Sequence, residues 1–203
     1  SAKRRRLSRT KLKIAPEQKV VLFLGTPRQH KGLLDTAQAI ANLKRQDVLF
    51  LIVGDFPKAQ QALKAEIQTL PNLKSLFLGD QPFEIIPDIL SAGDICILLQ
   101  DPGALTAQYQ TPAKLSDALA MGLTVLAEKT PALADLAEKG AFEAVSRATL
   151  AKTLEAVLSQ PSAEPAPHPV FTECLSMRAN CSVVAQWLRP PAPANSVSPA
   201  ALS

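Results

Sequence analysis

Residues 111–127 read TPAKLSDALAMGLTVLA, and the fold follows from how this stretch is parsed. Thr111 is a good N-cap and Pro112 suits a first helical position. Leu115, Ala118, Leu119 and Gly122 then recur at helical spacing, so a helix is predicted to begin here. Its opening turn presents backbone N–H groups to an anion. Gly122 ends the helix, and residues 123–127 read as a buried strand. Ahead lies a second apolar strand at 95–99, followed by a loop over 100–110 that is long for a strand-to-helix connection. Loops of that kind tend to carry function.

Working outward, the same alternation repeats. Short apolar runs at 20–24, 48–53, 76–78 and 142–145 are predicted strands. Residues 32–44, 58–70, 82–92, 131–139 and 148–158 carry helical spacing, with an interruption expected near Pro87. Strands that are apolar without alternation, separated by amphipathic helices, predict a doubly wound, Rossmann-like α/β domain with a parallel sheet covered on both faces. Its ligand belongs at the carboxyl ends of the strands, three of which run directly into Gly25, Gly54 and Gly79.

The 203 residues are 47% hydrophobic and 20% charged, enough for one full core, and no apolar run approaches the length of a bilayer span. A cytoplasmic protein without a transmembrane segment is expected. The net charge of +4 is misleading about partners. Eight of the 22 basic residues lie in positions 1–19 against the single acid Glu17, which leaves residues 20–203 at net −3. The body is therefore not a nucleic-acid surface, and the basic segment has no aromatic residue for bases to stack on. Residues 1–19 are read as a basic arm or inter-domain connector, mobile or ordered only against a partner. Cys96, Cys174 and Cys181 do not form a disulfide framework and fit a reducing compartment.

After the domain at 20–160 the composition changes. All eight glycines precede position 141, whereas eight of the 17 prolines lie from Pro161 onward. Residues 161–170 read as a stiff linker carrying a solvated His168, residues 171–188 as one helix, and residues 189–203 as a disordered tail.

The first strand-to-helix junction reads GTPRQHKG over 25–32. Arg28 and Lys31 stand beside a helix start, at the end of the sheet where the 111–127 helix also begins. Two cations and two helix N-termini meeting at one crevice make a diphosphate site. The junction is neither GxxxxGK[ST] nor GxGxxG. His30 is read as a polar residue at a helix start. No Ser/His/Asp, Cys/His or metal-ligand grouping is apparent, so neither a metal nor a cofactor is expected.

Taken together, LGTPRQHKG (24–32), LFLIVGD (49–55), LFLG (76–79), AGDICILL (92–99) and TPAKLSDALAMGLTVLA (111–127) resemble the C-terminal, nucleotide-sugar-binding half of the group 1 retaining glycosyltransferases of GT-B fold. The resemblance spans about residues 20–158 and implies metal-independent transfer of a sugar from a nucleoside-diphosphate sugar, for glycan biosynthesis. It implies that Lys31 binds the donor diphosphate, with Gly25 and Thr26 in the adjoining turn. The family's arginine directly after the glycine is Thr26 here, and Arg28 stands in for it. The helix start from Thr111 through Pro112 and Ala113 to Lys114 supplies N–H groups to phosphate. Of the family's two glutamates, the ribose-binding one falls on Asp117 and the sugar-contacting one on Tyr109, a departure that touches sugar recognition. From pattern alone, Asp117 reads equally as a partner for Lys114 three residues earlier.

A GT-B enzyme reacts in the cleft between two such domains, so the resemblance also implies an N-terminal acceptor domain in the same or a separate chain, without which this domain is inactive. Two rival readings are a non-catalytic interaction module on the same scaffold, motivated by Tyr109, and a nucleic-acid binder acting through the basic arm.

Overall fold

A computed structural model of the chain describes residues 1–101, 103–161 and 164–188. Its centre is a six-stranded, all-parallel sheet of β1 (Lys19–Leu24), β2 (Val48–Val53), β3 (Lys74–Leu78), β4 (Ile95–Leu98), β5 (Thr124–Ala127) and β6 (Glu143–Ala144), ordered β3-β2-β1-β4-β5-β6. The expected doubly wound α/β domain is therefore present. Buried strands alternate between two cores. Val21, Phe23, Phe50 and Ile52 face α2 (Leu33–Asn42), α3 (Gln61–Thr69) and α8 (Leu150–Leu158). Val20, Leu22, Leu49 and Leu51 face α4 (Ile86–Ser91) and α6 (Ala113–Ala120). Full burial of a side chain such as Leu115 or Leu119 contributes about 1.5–3 kcal/mol.

Strand order reverses between β1 and β4. The chain leaving β1 turns to α2 on one face, while the chain leaving β4 turns to α6 on the other. Where neighbouring connections diverge in this way a crevice opens at the carboxyl edge, and a ligand can enter.

Several boundaries differ from expectation, each for a local reason. Pro87 does not interrupt a helix; it occupies the first turn of α4, where its missing N–H costs nothing. The loop after β4 contains α5 (Leu105–Tyr109). Residues 171–188 are not one helix: a π-helical turn, Phe171–Leu175, is followed by α9 (Met177–Trp187). The break is at Ser176, whose extended backbone and Oγ, accepting from Ala179 N–H at 3.2 Å, make it an N-cap. His168 is half-buried rather than solvated; its N–H donates to Leu119 O at 2.8 Å and its Nδ1 accepts from Val170 N–H. The proline segment thus closes over the end of α6. The expected tail, 189–203, lies outside the described residues.

The largest correction concerns the basic N-terminus. It is not a mobile arm over its length, because α1 (Ala2–Lys11) packs on α4. Arg5 pairs with Asp94 and donates to Gly93 O. Arg9 is buried; its Nη2 meets Asp94 Oδ2 at 2.8 Å, its Nε donates to Ala92 O, and its Nη1 donates to the carbonyls of Ala15, Pro16 and Gln18. Asp94 also accepts the Val20 N–H at 2.8 Å. A buried guanidinium with this many acceptors is fully paired, which overrides the repulsion that the charge density alone implies.

Candidate functional site

The first wall of the crevice is the turn between β1 and α2. Gly25 holds φ +111°, and a Cβ at Gly54 would collide with its carbonyl, so the turns after β1 and β2 lie backbone to backbone. Gln29–Lys31 form a single 3-10 turn, and Gly32, at φ +62°, is the N-cap of α2. A Cβ at Gly32 would strike the side chain of Leu99, which presses this turn against the end of β4. Lys31 folds back so that its Nζ donates to Thr26 O at 3.0 Å. Burial and then the charge of Arg28 depress its pKa. Thr26, Arg28 and His30 are exposed.

The second wall is α6. Its N-cap is Pro112, not Thr111; the Thr111 hydroxyl instead donates to Ala132 O at 3.4 Å. Neither glycine at the start of α2 nor proline at the start of α6 has a side chain that can cap, so both helices lack a side-chain cap. Both helix starts keep N–H groups that a bound anion can take up, at the positive end of the helix dipole. Pro112 is buried and Ala113 exposed.

Lys114 joins the two walls. Its Nζ lies over the Phe23 ring of β1, 5.0 Å from the centroid, and it feels the charge of Lys31. Burial, opposed by Cys96 and reinforced by Lys31, pushes its pKa down to about 8. Cys96 beneath it is pushed up to about 12, chiefly by burial. Among the described residues no ion pair joins Lys114 to Asp117, so the reading of Asp117 as its partner fails; burial raises the Asp117 carboxyl. Lys31, Arg28, Lys114 and the starts of α2 and α6 therefore share the carboxyl edge at the β1/β4 switch. Tyr109, on α5, is 80% exposed and belongs to the rim rather than the interior.

Glu128, Arg147 and Asp35 escaped the sequence reading. Glu128 follows β5 directly and is buried; its Oε2 accepts the Gln100 N–H at 2.8 Å. Arg147 spans from Glu128 Oε1 at 3.5 Å to Asp35 Oδ2 at 3.2 Å. An acid directly after an apolar strand, at the ligand end of a parallel sheet, was the available signal. Among the described residues no cluster of potential metal ligands is found, and no helix is long and apolar enough to cross a membrane. The three cysteines are free.

Comparison with known proteins gives concordant results. The family described as glycosyl transferases group 1 matches residues 18–160. The putative colanic acid biosynthesis glycosyl transferase WcaI of Escherichia coli K12 is 29% identical over 133 residues, covering 64% of this chain and 32% of that protein. Anabaena HepE, solved with UDP and glucose, superposes with a TM-score of 0.64 at 20% identity, over 92% of this chain and 48% of that one. The C-terminal domain of the group 1 protein LpcC from Francisella tularensis does so with a TM-score of 0.62 at 18% identity, over 90% and 92%. The chain spans about a third of the curated relative and about half of HepE.

Proposed function

The chain belongs to the group 1 glycosyl transferases, and from that premise we propose that it is the donor-binding domain of a retaining enzyme. Such an enzyme moves a sugar from a nucleoside-diphosphate sugar to an acceptor hydroxyl. The observation that carries the reading is that Lys31 and Lys114 lie close enough to feel each other's charge beside two helix starts without side-chain caps, at the carboxyl edge of the sheet. As the glycosidic bond breaks, negative charge develops on the departing diphosphate. Fixed cations and oriented N–H groups stabilise that charge more in the transition state than in the ground state.

In this reading Lys31 and Arg28 are the catalytic cations. Gly25 and Thr26 shape the turn against the diphosphate, and Pro112, Ala113 and Lys114 present the α6 N–H groups. Asp117 holds the ribose hydroxyls, and Tyr109 lies toward the sugar. The chemistry uses no metal or cofactor, takes place in the cytoplasm and serves glycan assembly. An acceptor domain, in the same or another polypeptide, completes the site, and the domain alone does not turn over.

The test is isothermal titration with UDP, GDP and ADP. At least one should bind, and Lys31→Ala should abolish or strongly weaken that binding. Absence of binding by all three, together with an inert Lys31→Ala, refutes the reading. A second reading, a non-catalytic module, is favoured only by Tyr109 at the sugar-contact position; sugar transfer by a longer parent protein excludes it.

A further inference from the structure

Glu128 is a buried carboxylate outside the group of residues assigned to the donor. Its backbone N–H donates to Leu98 O at 3.2 Å, so the residue is held rigidly as an extension of the β4/β5 ladder. Its two carboxylate oxygens point to different segments. Oε2 accepts the N–H of Gln100, the first residue beyond Leu99, on the chain that leads from β4 toward α5 and α6. Oε1 pairs with Arg147, which pairs in turn with Asp35 in the first turn of α2, four residues after Lys31. One unbroken polar path, Gln100 to Glu128 to Arg147 to Asp35, therefore ties the segment that leaves β4 to the first turn of α2. The same two segments meet sterically where Gly32 backs onto Leu99.

Removing a carboxylate from water is unfavourable, and a well-packed apolar side chain at this position would favour the fold at least as much. What an apolar residue cannot do is connect the segment after β4 to α2. We propose that Glu128 is a positioning residue for the diphosphate site, setting through Arg147 and Asp35 the spacing between the Lys31 turn and the chain that leads to α6. The proposal rests on the donor reading above, and it places a charge-dependent strut behind that site.

The strut responds to protons. Burial raises the Glu128 carboxyl above the usual carboxylate range; the Gln100 N–H and Arg147 oppose this, and Asp35 and Asp101 add to it. As pH falls Glu128 takes up a proton earlier than an ordinary carboxylate; Arg147 then loses one of its two partners, and the spacing relaxes. Glutamine at this position still accepts the Gln100 N–H but never carries the charge, so the two functions of the side chain are separable.

The experiment is UDP titration of the chain and of Glu128→Gln, Glu128→Ala and Arg147→Met from about pH 7.5 down to about pH 4.5, through and above the ordinary carboxylate range, with amide hydrogen exchange at Gln100, Thr36 and Ala37. UDP's own terminal phosphate titrates in this range, so the variants rather than the parent alone carry the result. At the upper pH, Glu128→Ala and Arg147→Met should weaken UDP about three- to fivefold, in line with about 1 kcal/mol for a partly exposed ion-pair relay. The acid-side fall of the parent should exceed that of Glu128→Gln. Exchange at Thr36 and Ala37, in α2, should quicken in Glu128→Ala although neither touches residue 128. Equal pH profiles for parent and Glu128→Gln, or faster exchange at Gln100 alone, overturn the proposal. If the parent binds no nucleoside diphosphate, the donor reading falls, and exchange at Thr36 and Ala37 still decides whether the two segments are coupled.

Discussion

The ammonium of Lys114 lies over the face of Phe23, 5.0 Å from the ring centroid, with no carboxylate ion-paired to it among the described residues. A half-buried cation whose neighbours are an aromatic ring, a thiol and another lysine lacks its counter-charge. A diphosphate would supply it. Burial sets the pKa of Lys114 to about 8, so the charged form dominates below that value and is lost above it. Affinity for UDP should therefore fall as pH rises through about 8, and Lys114→Met should flatten that limb. Calorimetry across the range, in buffers of differing ionisation enthalpy, should also detect proton uptake on binding near pH 8.

The same lysine should cost the unliganded fold. Between about 8 in the folded chain and 10.5 when unfolded, the unfolded state binds more protons, so stability rises with pH across that window. At neutral pH, Lys114→Met should stabilise the apo domain by about 1 kcal/mol while weakening UDP. Urea unfolding at two pH values checks both the sign and the slope.

Arg9 and Asp94 are the pair that holds α1. Their side chains are 7% and 11% exposed; removing Asp94 strips the buried Arg9 of its carboxylate, whereas removing Arg9 leaves Asp94 with Arg5 but deletes the guanidinium that bridges to the carbonyls of Ala92, Ala15, Pro16 and Gln18. Arg9→Ala or Asp94→Ala should destabilise the domain by about 3 kcal/mol. The pair is shielded from solvent, so added salt should reproduce little of this loss. Chemical denaturation with and without salt is the measurement.

Gly32→Ala meets two penalties, a left-handed backbone and a collision with Leu99. The expected loss is about 2 kcal/mol. The nearest atom is the Leu99 Cβ, which alanine would keep; in a Leu99→Gly background the collision disappears, so the Gly32 substitution should cost only about 1 kcal/mol there. A double-mutant cycle by thermal unfolding separates the two penalties.

Much of this architecture was legible in the chain. The apolar run at 48–53 coincides with β2, and the GTPRQHKG junction and the helix after Pro112 occupy the two walls anticipated for them. What stayed hidden depends on partners distant in sequence. The order RRRLSR reads as solvated charge until Asp94, some 85 residues away, turns Arg9 inward. Lys114 looks like a surface residue of an amphipathic helix until Phe23 is placed beneath it. The Ser176 break was readable in principle, because serine ahead of a helical run is an N-cap signal that the apolar spacing of 171–188 obscured.

The Arg9 staple has a practical outcome. Every acceptor it uses belongs to the N-terminal segment or to residues 92–94 beside the sheet, so α1 turns only when the sheet turns. A fluorophore or spin label on the exposed Arg6 would then act as a compass needle for the domain. In a longer polypeptide its tumbling and distances would report how one body swings against another, not the wobble of a loose end.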